Sequence, residues 1–164
     1  MVYLAGNGCF DPPESTSPRE TGDLQTVNRN DLQKLADLRI KEAEVLLRNG
    51  CYEGAYYLAG YAVECALKAC IAKTTQQYDF PDKDLVQKSY THNLEKLVSA
   101  AGLDQLLKQE MAKAGSFAGY WAVVKDWSEE MRYHTSVGDK VARDMFEAIT
   151  NAKDGVMRWL KRLW

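Results

Sequence analysis

Two clusters of ionisable side chains give this chain its chemical possibilities. The first is Glu64 and Lys68, an acid four residues ahead of a base, which is the favourable order on a helix. Exposed, such a pair is a solvated contact worth about 0.2–0.5 kcal/mol. Buried, Glu64 requires a cation from another helix, because a lone carboxylate away from water is costly. The second cluster is the run Glu129-Glu130-Met131-Arg132-Tyr133-His134. Arg132 offers a planar fork that fits phosphate, Tyr133 a ring that stacks or a hydroxyl that donates, and His134 an imidazole that can carry a proton. The plainer reading pairs Arg132 with Glu129 or Ser128 one turn back and leaves His134 decorating a helix end.

Other chemistries lack their residues. There is no glycine-rich phosphate cradle, no H-E-x-x-H, no G-x-S-x-G and no calcium loop. Cys9, Cys51, Cys65 and Cys70 form no C-x-x-C pair, and neither His92 nor His134 stands at metal-ligand spacing to them, so neither a metal nor a cofactor is expected. Cys65 and Cys70 lie in an apolar helical stretch and read as small buried hydrophobes in a reducing compartment. His92 reads as a polar residue ahead of a helix that begins at Asn93.

The elements that must position these groups are helical. Leu32, Leu35, Ala36, Ile40, Ala43, Leu46 and Leu47 recur at three-to-four spacing and predict a helix over about Asp31 to Arg48, with Asn30 as N-cap and Gly50 just past the end. The Asn49-Gly50 break is short enough to set the next helix antiparallel beside it. That helix, about Tyr52 to Thr74, is apolar on nearly every side, which places it at the centre or at an oligomer interface. Its aromatics sit among alanines and leucines and read as core rather than a base-stacking platform. Gly54 and Gly60 inside it cost about 1 kcal/mol each relative to alanine, which makes sense if another helix approaches closely.

Residues 75–91, around Pro81, read as a polar connection, long for a bundle and therefore a candidate functional loop. Two short helices follow, one from Asn93 to Ala101 and one carrying Leu103, Leu106, Leu107, Met111 and Ala114. Tyr120, Val123, Val124, Trp127 and Met131 then predict an amphipathic helix. A last helix opens at Gly138-Asp139 and runs to Leu163, with Val141, Met145, Ile149, Ala152, Val156, Leu160 and Leu163 inward. No segment alternates with period two for long. The class is all-α: an antiparallel up-and-down bundle of four to five main helices with short extra ones.

At 164 residues with 46% hydrophobic and 27% charged content, the chain is long enough for one packed domain. Residues 1–29, with Pro12, Pro13 and Pro18 among Ser, Thr and acids, read as a disordered tail, leaving 30–164 as the domain. The chain holds 23 acids and 21 bases; four and two of these fall within residues 1–30, so the remainder is formally neutral. A neutral domain lacks the broad positive field of a sequence-independent DNA binder, and any nucleic-acid contact must be local. Met1 to Phe10 has no basic start or long apolar run, and Glu64 and Lys68 interrupt the most apolar stretch. Neither a signal peptide nor a membrane span is expected, and the cytoplasm follows by elimination.

Three stretches together resemble the higher eukaryote and prokaryote nucleotide-binding (HEPN) domain: Tyr52-Glu53-Gly54-Ala55-Tyr56-Tyr57-Leu58-Ala59-Gly60-Tyr61-Ala62-Val63-Glu64-Cys65-Ala66-Leu67-Lys68-Ala69, then Thr91-His92-Asn93-Leu94-Glu95-Lys96-Leu97, then Trp127 through Arg132-Tyr133. The similarity spans about residues 30–150. It implies a helical bundle that commonly dimerises, binding of nucleotide or RNA, and a nucleotidyltransferase partner in toxin–antitoxin or defence systems. Many members are metal-independent ribonucleases with Arg, four to six residues, then His. Here Arg132 matches the Arg, but His134 follows after one residue and no later His exists. The resemblance therefore implies a non-catalytic module in which Arg132, Tyr133 and His134 contact phosphate while Glu64 orients Arg132 across the bundle. Two alternatives stand beside it. One is a ribonuclease with Arg132 and His134 from two subunits meeting in a rearranged site. The other is a structural adaptor burying helix two or the Trp159/Trp164 end against another protein.

Overall fold

The computed structural model describes residues 27–74 and 82–164. Among these, eight α-helices and one 3-10 helix form an all-α bundle: α1 (Arg29–Arg48), α2 (Tyr52–Thr74), α3 (Lys83–Ser89), α4 (Leu94–Ala100), α5 (Asp104–Met111), α6 (Phe117–Val124), the 3-10 helix (Glu129–Tyr133), α7 (Asp139–Thr150) and α8 (Val156–Lys161). No described helix is long and apolar enough to cross a membrane.

The expected tail lies largely outside the described residues, but its last two positions belong to the fold. Asn28, not Asn30, caps α1: its side chain accepts from the Asn30 and Asp31 backbone N–H groups, and the Asp31 carboxylate accepts from the Asn28 N–H. This reciprocal box satisfies donors that a helix start otherwise leaves open. At the other end Gly50 takes a left-handed φ of 74°, and the Cys51 N–H reaches back to the Leu46 carbonyl at 2.9 Å. That closure turns the chain within three residues and lays α2 along α1.

α2 is the centre of the molecule. Twelve of its 23 residues are buried, and it packs against α1, α4, α7, α8 and the 3-10 helix, as its all-round apolar character requires. Its Gly60 is the closest point. A Cβ there would lie 2.3 Å from the Trp127 indole, so glycine alone lets the ring lie on the α2 backbone. Trp127 is 2% exposed and its Nε1–H finds no acceptor among the described residues. That orphan donor costs about 1–3 kcal/mol, while burying a large aromatic side chain is favourable on a comparable scale.

Three expectations are corrected. The connection expected over 75–91 contains α3, capped by the Asp82 side chain; residues 75–81 lie outside the described set. The helix expected from Tyr120 to Met131 stops at Val124, and Trp127 and Met131 reach the core through a bend and a 3-10 turn instead. The last helix breaks after Thr150. Asn151 leaves the helix with ψ 129°, and its Oδ1 accepts from the Lys153 and Asp154 N–H groups. Gly155 then fits where a Cβ would lie 2.6 Å from the Asn151 carbonyl oxygen. Asp154 locks the corner to the start of α6, accepting from the Ser116 N–H at 2.9 Å.

Candidate functional site

One face of α2 carries the first cluster, and α2 packs against the 3-10 helix that carries the second. Tyr57, Tyr61, Glu64 and Lys68 follow one another at intervals of four, three and four residues, which places them on a single stripe. Tyr57 and Tyr61 stack with ring centroids 6.1 Å apart and planes 9° from parallel. Tyr57 also meets the Trp127 ring at 6.0 Å. The Arg39 guanidinium lies 5.9 Å over the Tyr61 ring and bridges to Glu42.

At one end of the stripe Glu64 is 1% exposed, the one buried charged residue in the described core. It is paired as its burial demands. The Lys68 Nζ stands 2.8 Å from its Oε1, and the His92 Nδ1 lies 3.0 Å from both carboxylate oxygens. Donation to a carboxylate fixes the proton on Nδ1, which orients the ring and leaves Nε2 turned from the pair. His92 enters from the turn ahead of α4, whose Asn93 side chain caps the Lys96 N–H at 2.9 Å. The cation that a buried Glu64 requires therefore comes from its own helix, and His92, read from sequence as a bystander, supplies the contact between elements. The neighbouring Cys65 thiol is pushed up to about 11, first by burial and then by the Glu64 charge. It is an inert core thiol, as expected.

At the other end the 3-10 helix presents Arg132, Tyr133 and His134 together, all exposed, Tyr133 at 75%. The Arg132 guanidinium lies 4.9 Å over the Tyr133 ring. Its pKa is raised above the usual arginine value, first by the Tyr133 phenol and further by that of Tyr57. The guanidinium pairs with no carboxylate among the described residues. The pairing with Glu129 or Ser128 is replaced by these tyrosines, because a 3-10 turn places side chains differently from the α-helix the sequence suggested. His134 caps the turn, its backbone N–H donating to the Met131 carbonyl.

The expected contact between Glu64 and Arg132 is not formed. Arg132 meets α2 at Tyr57, seven residues before Glu64, a rise of about 10 Å along the axis. Glu64 is already occupied by Lys68 and His92. The structure thus brings Arg132, Tyr133 and His134 together and assigns Glu64 to a separate cluster. Tyr57 is the residue sequence reasoning missed. Its i, i+7 offset from Glu64 was readable, but its partner on a distant turn was not. Among the described residues, no group of three or more His, Cys, Asp or Glu side chains is arranged to hold a metal ion.

An all-α bundle with a central apolar helix and an exposed arginine–tyrosine–histidine turn defines the class. The HEPN domain model matches residues 30–163, most of the chain, and the chain belongs to the HEPN domain family. No curated protein and no solved structure matches it.

Proposed function

We propose that this HEPN domain is a non-catalytic module that binds the phosphate of a nucleotide or RNA through Arg132, with Tyr133 and His134 beside it. The observation that carries the reading is an exposed guanidinium that lies over the Tyr133 ring and pairs with no carboxylate among the described residues. Such a group is pre-oriented and free to form a two-pronged, charge-assisted contact. A formally neutral domain has little long-range field, so this local contact carries the affinity. The single residue between Arg132 and His134 argues against the family's ribonuclease arrangement. Dimerisation and pairing with a nucleotidyltransferase in a toxin–antitoxin or defence system are what family membership suggests for its setting. The free thiols Cys51, Cys65 and Cys70 favour the cytoplasm.

The test is fluorescence anisotropy of labelled mixed-sequence RNA and of a labelled nucleoside triphosphate, beside an RNA cleavage assay in EDTA. Loss of one charged hydrogen-bonding group costs about 1.5–3 kcal/mol, so Arg132→Ala is expected to weaken binding by about tenfold or more. Unchanged affinity would remove Arg132 from the site. Cleavage by the wild type that disappears in both Arg132→Ala and His134→Ala would make the chain a ribonuclease instead.

A further inference from the structure

α1 lies at the edge of the bundle and uses only one of its sides there. Ala36, Ala43 and Leu47 turn inward, and the helix packs on α2 and α7. The opposite side carries Lys34, Leu38, Lys41, Val45 and Arg48, spaced four, three, four and three residues apart. That is the heptad step, which keeps a seam on one side of a helix, here for about 21 Å. All five residues are exposed, Leu38 at 47% and Val45 at 59%. Single exposed aliphatic residues are ordinary on a protein surface. Here, however, Val45 joins Leu46 and Leu58 in lining a groove of about 440 Å³ between α1 and α2, and Leu38 stands one helical turn before its Lys41 and Glu42 edge. Leu46 and Leu58 are only half-buried, so the apolar wall is open to a visitor.

Charge selects what can lie on this seam. Lys34 and Lys41 pair with no carboxylate among the described residues. The acids beside them are engaged: Asp31 accepts from the Asn28 N–H, Asp37 pairs with Lys161, Glu42 with Arg39 and Glu44 with Arg48. A second copy of α1 laid antiparallel would bring Leu38 near Val45, but also Lys34 near Arg48 and Lys41 near its own counterpart. Like charges brought together across an interface select against that pairing. A nucleic-acid backbone would satisfy the lysines and leave the aliphatic groove without a partner. A helix with an apolar stripe and flanking carboxylates satisfies both parts.

We propose that the outer face of α1 docks an acidic amphipathic helix of another protein, with apolar side chains seated on Leu38, Val45 and Leu58 and carboxylates on Lys34 and Lys41. This is the helix-in-groove mode of recognition, in which anchors at i, i+3 or i+4, and i+7 enter an apolar furrow. The seam uses none of Arg132, Tyr133 and His134 and stands independently of the nucleotide reading.

The test titrates the full chain, by two-dimensional amide NMR, with a synthetic helical peptide of about 20 residues that carries leucine at heptad a and d positions and glutamate beside them. Its counterpart has lysine for every glutamate. The acidic peptide is expected to shift the amides of Lys34–Arg48 and Leu58 and to bind at least about tenfold more tightly than the basic one. The double variant Lys34→Glu/Lys41→Glu is expected to reverse that preference. Leu38→Ser/Val45→Ser, at two exposed positions, is expected to weaken the acidic peptide by about tenfold or more while the fold persists. Arg132→Ala is expected to leave its affinity unchanged. Equal affinity for the two peptides, or no shifts on α1 at millimolar acidic peptide, would overturn the proposal. So would a mixed-sequence RNA that displaces the peptide and shifts the same amides, which would give the seam to nucleic acid. A dimer in sedimentation that Leu38→Ser/Val45→Ser dissolves would give it instead to a second copy of the chain.

Discussion

The two ends of the α2 stripe use similar residue types for opposite purposes. Around Glu64 an acid, a lysine and a histidine are drawn inward, each engaged with another, and they join α2 to the start of α4. Around Arg132 an arginine, a tyrosine and a histidine stand outward, with aromatic rings instead of a counter-charge. Burial decides the difference. A carboxylate at 1% exposure must be neutralised within the protein, whereas a guanidinium in solvent need not be. The first cluster is therefore expected to govern stability and the second ligand contact.

The sharpest way to break that division is to strip Glu64 of both partners. A Lys68→Met/His92→Ala double variant leaves a buried carboxylate unpaired and is expected to cost about 3–5 kcal/mol, read by urea unfolding. A cost below about 1 kcal/mol would mean that water reaches Glu64 and that the cluster is not structural. Next in size is Gly60→Ala, whose new methyl group collides with Trp127 and should cost about 1–3 kcal/mol through overpacking. Since Tyr57 meets Trp127 on the helix against which the 3-10 turn packs, this variant also asks whether the outward cluster depends on the packing behind it. A folded Gly60→Ala protein that keeps full ligand affinity would separate the two. The smallest effect is expected for Arg132→Ala, within about 0.5 kcal/mol of wild-type stability. A loss of 2 kcal/mol there would turn the outward cluster into a second structural one.

Local signals in the sequence were sound wherever one helix decided its own fate. The α1 face, the Gly50 stop and the all-round apolar α2 stand where their spacing puts them, although α1 is capped by Asn28 and not by Asn30. The errors come where apolar phase continues across a change of backbone. Trp127 and Met131 keep helical spacing from Tyr120 and are indeed drawn to the core, yet the chain leaves the α-helix at Lys125 with neither Gly nor Pro to mark it. Ala152 and Val156 keep phase with Ile149 through a corner that Asn151 and Gly155 make. Those two residues were the available sign, outweighed by the hydrophobic pattern. For the site, the adjacency of Arg132, Tyr133 and His134 was legible because a single turn holds all three. The partner of Glu64 was not. The cost of burying a carboxylate demands a partner without saying which, and His92 lies 28 residues away.

The contact between Gly60 and Trp127 also bears on how this sequence can change. A side chain at residue 60 is excluded only while an indole occupies its space, and the indole fits only while residue 60 has none. Neither position can drift alone without passing through a clash or a void. Across diverged versions of this chain the two are expected to be inherited as one character, exchanged together or kept together.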